Sequence, residues 1–114
     1  MKDLYLRMNI LFVCSRNQWR SPTAEAIYKN RNGLNVKSAG TSSSAKIKLS
    51  AKTILWADLI FVMEKKHKQR MVENFPNETT DKQIIILDIP DEYQFMDAEL
   101  IEEIETKVDL ILTQ

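Results

Sequence analysis

Only one cysteine, Cys14, stands among the 114 residues, so no intramolecular disulfide can form, and a reducing cytoplasm is the natural home for the thiol. Charge of one sign is also missing. Sixteen Lys and Arg balance sixteen Asp and Glu for a formal net charge of +0, which argues against dependence on a nucleic-acid backbone or an anionic membrane. No apolar run approaches the roughly 20 residues of a membrane-spanning helix. The segment Met1-Lys2-Asp3-Leu4-Tyr5-Leu6-Arg7 lacks the apolar stretch and cleavage site of a signal peptide, and we read residues 1 to 7 as an N-terminal extension or alternative start. The one histidine, His67, lies in Lys65-Lys66-His67-Lys68, matches no metal-ligand spacing and reads as an exposed helix residue. Repeats, linkers and low-complexity segments are absent. What remains, 44% hydrophobic and 28% charged, suits one small domain, residues 8 to 114, with a real core.

Hydrophobic patterning divides that domain into alternating strands and helices. Residues 9 to 13 form a continuous apolar run that reads as a buried strand, followed by a helix near residues 21 to 31 that Asn32-Gly33 would stop. A short strand is expected at 34 to 39, near-helical spacing at 48 to 56, and a central strand at 58 to 63. A charged helix follows over about 64 to 75, then a last strand at 83 to 87 and an amphipathic helix over about 97 to 112, with Leu100, Ile101, Ile104, Val108 and Ile111 or Leu112 on one stripe. The pattern predicts an α/β sandwich of three layers: four parallel strands joined by right-handed crossovers, with helices on both faces.

Cys14 ends the first strand, and Arg20 follows six residues later at the helix start, so residues 14 to 20 form the strand-to-helix turn. Parallel α/β sheets bind ligands at such turns, where amides converge on an anion and the helix dipole adds positive charge. Those surroundings favour the nucleophilic thiolate, and the planar fork of Arg20 can hold two phosphate oxygens. A buried, inert thiol is the commoner fate of a free cysteine, but strand end, spacing, helix start and following serine all coincide here. Ser21 suits the N-cap, with Pro22 at the first helical position, or donation to the Cys14 sulfur, and the two roles are compatible. The basic cluster Lys65, Lys66, Lys68 and Arg70 reads most simply as a solvated helix face.

Expelling an alkoxide or phenolate from phosphorus is easier with an acid to protonate it. Asp91, just past the last strand and fixed by Pro90, is the first candidate, with Asp88, Glu92 and Asp97 as competitors. Tyr93 can flank the entrance or pack at a helix start.

The segments Cys14-Ser15-Arg16-Asn17-Gln18-Trp19-Arg20-Ser21-Pro22, Ser38-Ala39-Gly40-Thr41, Ala57-Asp58-Leu59-Ile60-Phe61-Val62-Met63 and Ile89-Pro90-Asp91 resemble the low-molecular-weight protein tyrosine phosphatases, and within them a shorter bacterial branch of predicted tyrosine phosphatases. The resemblance runs from Met8 to the C-terminus and implies a phosphatase I-like fold. It also implies Cys14 as nucleophile, Arg20 on the phosphoryl group, Asp91 as general acid, and Ser15, Arg16, Asn17, Gln18, Trp19 and Ser21 in the phosphate-binding loop, Asn17 supporting that loop through a strained backbone. Several positions depart from the family. Arg16 replaces a usual Gly, Trp19 a frequent second cysteine and Glu92 a usual Pro; Thr41-Ser42-Ser43-Ser44 lacks the aromatic residue that often walls the cleft. The middle of the chain is shortened, which implies a shallower slot.

The implied reaction is phosphomonoester hydrolysis through a cysteinyl phosphate, needing no metal or cofactor because Arg20 and the loop dipoles supply positive charge. Expected substrates are a phosphorylated protein or a small aryl phosphate. No nucleic-acid or membrane partner is expected, and the chain should be a monomer or weak homo-oligomer. Two rivals stand beside this reading: arsenate reduction, which would need an external thiol, and a phosphate-binding module that has lost catalysis.

Overall fold

Side chains with nothing polar to satisfy occupy the middle of the sheet. In a computed structural model, which describes residues 7 to 113, β1 (Met8–Cys14) carries Ile10, Leu11, Phe12 and Val13 with no exposed surface. The proposed extension at residues 1 to 7 lies, but for Arg7, outside the described residues. β2 (Leu34–Gly40) and β3 (Leu59–Val62) flank β1, and β4 (Gln83–Ile86) lies beyond β3. All three pairings are parallel. Because successive strand residues point to opposite faces, β1 feeds two cores. Ile10, Phe12 and Cys14 join Leu59, Phe61 and Met63 on one side, while Leu11 and Val13 join Ile60 and Val62 on the other.

Helices α1 (Arg20–Tyr28) and α4 (Ala98–Leu112) cover the first core with Ala24, Tyr28, Leu100, Ile104 and Val108. Helices α2 (Ala51–Trp56) and α3 (Lys65–Asn74) cover the second with Ile54 and Met71. Each such large apolar side chain contributes about 1.5–3 kcal/mol by leaving water. Phe12 also stacks between Tyr28 and Phe61, with centroids 5.8 and 5.3 Å away.

The expected three-layer α/β architecture is the one observed, with local differences. Trp19, not Ser21, is the N-cap of α1, because the Ser21 hydroxyl is drawn toward Cys14 instead. Helix α1 ends at Tyr28, and Gly33 takes φ 84° in the turn beyond it. Helix α2 starts only at Ala51, since the Ser50 side chain accepts from the Thr53 amide and caps it there. The chain leaves β1 toward β2 and returns to β1's other side as β3, so the C-terminal end of β1 lies where the strand order reverses. That is where open α/β sheets place their ligands.

Candidate active site

Between β1 and α1 the backbone turns its carbonyls outward. The amides of Thr41, Ser42 and Lys46 donate to the carbonyls of Cys14, Ser15 and Arg16 at 2.9, 2.8 and 3.0 Å. Among the described residues, none of the amides of Ser15 to Trp19 donates to a protein acceptor, so the opposite side of the turn is a row of free donors, the form of an anion nest. Asn17 helps to make the curve at φ 54°, a left-handed conformation that Asn tolerates better than most residues. Gly40 allows the loop of residues 41 to 46 to approach: a Cβ there would lie 2.4 Å from the Ser15 carbonyl oxygen and 2.9 Å from the Asn17 amide nitrogen.

On the side facing α1 and β2, a chain of buried polar groups holds this turn. The Asn17 side-chain amide donates to Ser21 Oγ and to Ser38 Oγ, both at 2.9 Å, and Ser38 donates in turn to the Glu25 carboxylate. With the Asn17 amide on its oxygen, Ser21 has one proton to give, to Cys14 Sγ 2.9 Å away or to the more distant Ala39 carbonyl at 3.4 Å, and a thiolate draws it to the sulfur. The Cys14 side chain sits at the floor of the turn with only 3% of its surface exposed.

On the side facing α3, the hold is ionic. Arg20, 2% exposed, donates through Nη1 to Glu64 Oε1 at 2.6 Å and to the Ile89 carbonyl at 2.8 Å, while its Nε lies 3.6 Å from Asp91 Oδ1. Both protons of Nη1 are thereby engaged, and Nη2 has no partner among the described residues. The segment carrying Asp91 is fixed beside β3, since the Leu87 and Ile89 amides donate to Val62 and Met63 and Ile89 is fully buried. Burial alone would push the Glu64 carboxyl up, but the Arg20 hydrogen bond and charge outweigh it and hold the group below its ordinary range.

His67 contradicts the expectation of an exposed helix residue: it is 1% exposed. The cause is the start of α3. Glu64 is its N-cap, and Glu64 and His67 form a capping box in which the Glu64 amide donates to His67 Nδ1 at 2.9 Å. This turns the ring inward, where Nε2 meets Ser15 Oγ at 2.9 Å. Burial first, then the Arg20 charge, lowers its pKa to about 4, so the ring is neutral near pH 7.

A cleft of about 360 Å³ opens over the turn, lined by Cys14, Ser15, Arg16, Gln18, Trp19, Arg20 and Asp91. Asn17 and Ser21 lie buried beneath it. Among the described residues Asp91 is the one carboxylate in the lining; Asp88, Glu92 and Asp97 are outside it. Tyr93 is also outside, half-buried against the core that α1 and α4 cover. Sequence reading missed Glu64, His67, Ser38 and Glu25 as members of the site. The Glu64-x-x-His67 spacing of a capping box was the available signal for the first two.

Known proteins resemble both the sequence and the shape. The profile described as low molecular weight phosphotyrosine protein phosphatase matches residues 9–55. A protein-arginine-phosphatase from Geobacillus stearothermophilus is 34% identical over 97 residues, covering 64% of this chain and 65% of the relative. The chain thus spans just under two thirds of the length of the curated relatives it matches. The solved YwlE arginine phosphatase from Geobacillus stearothermophilus superposes with a TM-score of 0.69 at 25% identity, covering 93% of this chain and 94% of that one. Wzb from Vibrio vulnificus, in complex with benzylphosphonate, gives 0.76 at 22% identity over 94% and 98%, a likeness of fold.

Proposed function

We propose that the chain is a cysteine-dependent phosphatase of the low molecular weight phosphotyrosine protein phosphatase kind, acting on phosphorylated protein side chains, a reading supported by the profile match over residues 9–55 and the likeness to arginine phosphatases. The observation that carries this reading is the convergence in one cleft of Cys14, the free amides of the turn, Arg20 and Asp91. The substrate phosphoryl group takes the amides and the Nε–Nη2 edge of Arg20, leaving Asp91 to the leaving group. Cys14 thiolate attacks phosphorus: the S–P bond forms, the ester P–O bond breaks, and Asp91 gives its proton to the departing oxygen. Ser21 donates to the sulfur, stabilising it as nucleophile and again as leaving group. Water then attacks phosphorus, Asp91 takes its proton, and the S–P bond breaks to release inorganic phosphate. Arg20 and the amides stabilise charge on the equatorial oxygens throughout.

The test compares wild type, Cys14→Ser and Asp91→Asn on p-nitrophenyl phosphate with vanadate competition. Cys14→Ser should abolish turnover, and Asp91→Asn should lower it by about 10²–10⁴-fold, the usual range for a lost general acid. Wild type that binds vanadate yet turns over no faster than Cys14→Ser would reduce the protein to a phosphate-binding module. Loss with Cys14→Ser alone would move the acid to Asp88 or Glu92.

Phosphotyrosine is the expected substrate, but phosphoarginine is a second reading favoured by the arginine phosphatases at 34% and 25% identity. Among the described residues only Trp19 offers an aromatic side chain in the cleft lining, so the geometry does little to single out a phenolic leaving group. The ratio of kcat/KM on matched phosphotyrosine and phosphoarginine peptides decides between them. We place the enzyme in the cytoplasm on the strength of its lone thiol; no helix of the described residues is long and apolar enough to cross a membrane.

A further inference from the structure

The capping box of α3 settles which nitrogen of His67 carries the proton. The Glu64 backbone N–H can only donate, so Nδ1, 2.9 Å away, must accept. The neutral ring therefore carries its proton on Nε2 and donates it to Ser15 Oγ at 2.9 Å. A hydroxyl that accepts at its oxygen keeps its own proton for another acceptor, and among the described residues Ser15 has no second partner. Ser15 lines the cleft beside Cys14 and Arg20.

We propose that the Ser15 side chain is an additional donor to the phosphoryl group in the cleft, and that His67 is the positioning residue that fixes its hydroxyl. The inference rests on the reading of this cleft as a phosphoryl site. Chemically, it adds a neutral donor to the free amides and Arg20 without adding charge, and its proton is not transferred. The role extends the catalytic loop into α3: one helix start both holds Arg20 through the Glu64 carboxylate and orients Ser15 through the His67 ring. A simple structural staple between loop and helix is the competing explanation, and a double-variant cycle separates the two.

The experiment measures the Kd of inorganic phosphate by titration calorimetry near pH 7, and kcat and KM on p-nitrophenyl phosphate. It uses wild type, Ser15→Ala, His67→Leu, His67→Gln and the Ser15→Ala/His67→Leu double variant. Ser15→Ala and His67→Leu should each weaken phosphate binding and lower kcat/KM by about tenfold, as expected for one hydrogen bond to a charged group. The double variant should be no worse than Ser15→Ala, and His67→Gln, whose amide can still donate to Ser15, should recover most of the loss. Unchanged phosphate affinity in Ser15→Ala overturns the proposal, as does a His67→Leu loss just as large when Ser15 is already Ala. Should wild type bind phosphate but not hydrolyse the aryl phosphate, the catalytic reading falls while the phosphate Kd series still decides the roles of Ser15 and His67. Wild type that binds no phosphate overturns both.

Discussion

Two buried polar networks grip the turn after β1, and they differ in kind. Facing α1 and β2, Asn17, Ser21 and Ser38 form a neutral chain that ends on the Glu25 carboxylate and sets the backbone of the turn and the surroundings of Cys14. Facing α3, Glu64 and His67 act on side chains: one fixes a buried guanidinium, the other a hydroxyl. The neutral network shapes the anion nest, and the ionic one aims the groups that complete it. Removing a member of either should harm the site for different reasons, and that difference is measurable.

The largest effect is expected from Glu64→Ala, which leaves the 2% exposed Arg20 with the Ile89 carbonyl and a loosely placed Asp91. Breaking a buried pair costs about 3–5 kcal/mol; since Glu64 is itself 30% exposed, denaturant unfolding should show the lower end of that range. A loss under about 1 kcal/mol would mean that the pair behaves as a surface salt bridge, and the contrast between the networks would collapse.

Acid should weaken the α3 side selectively. The His67 pKa falls from about 6.5 to about 4 on folding, so between those values the unfolded chain binds more protons than the folded one. Stability therefore falls as pH drops through that window, by roughly 3 kcal/mol in all. The depressed carboxyl of Glu64 acts in the same direction lower down, its stabilisation being lost as pH falls through its folded pKa. His67→Gln should flatten the dependence between pH 4 and 6.5, as followed by thermal denaturation across pH; an unaltered slope would show that another group carries it.

A smaller effect, and the sharper probe of the neutral side, is Gly40→Ala. The added methyl would meet the Ser15 carbonyl oxygen at 2.4 Å and the Asn17 amide nitrogen at 2.9 Å, both backbone atoms that cannot swing aside. Overpacking of this sort costs about 1–3 kcal/mol, and because it displaces the amides themselves, phosphate affinity should fall even where the chain remains folded. Calorimetric titration showing wild-type phosphate affinity in folded Gly40→Ala would disconnect the 41–46 loop from the nest.

Half of the neutral network was legible in the sequence, because Asn17 and Ser21 lie in the turn and the first residues of α1 beside Cys14, whereas Ser38 on β2 and Glu25 farther along α1 join them only through the fold. The apolar runs likewise foretold the sheet, since β1 and β3 are buried on both faces. Of the ionic network only Arg20 was read from the sequence. Glu64 and His67 open a stretch dense in lysine, and the capping-box spacing Glu64-x-x-His67 was the one local sign that position 67 turns inward while Lys65, Lys66 and Arg70 face solvent. Of the two readings of Tyr93 the structure favours packing, its side chain lying against the core that α1 and α4 cover rather than in the cleft lining.

Both networks converge on one claim, that Cys14 accepts the phosphoryl group. Rapid quenching of the wild-type protein during turnover of p-nitrophenyl phosphate, followed by peptide mass spectrometry, tests it directly. The account predicts a phosphoryl group on the peptide carrying Cys14, absent from Cys14→Ser. Continued turnover with no phosphorylated enzyme, or with the phosphoryl group on another residue, would contradict it.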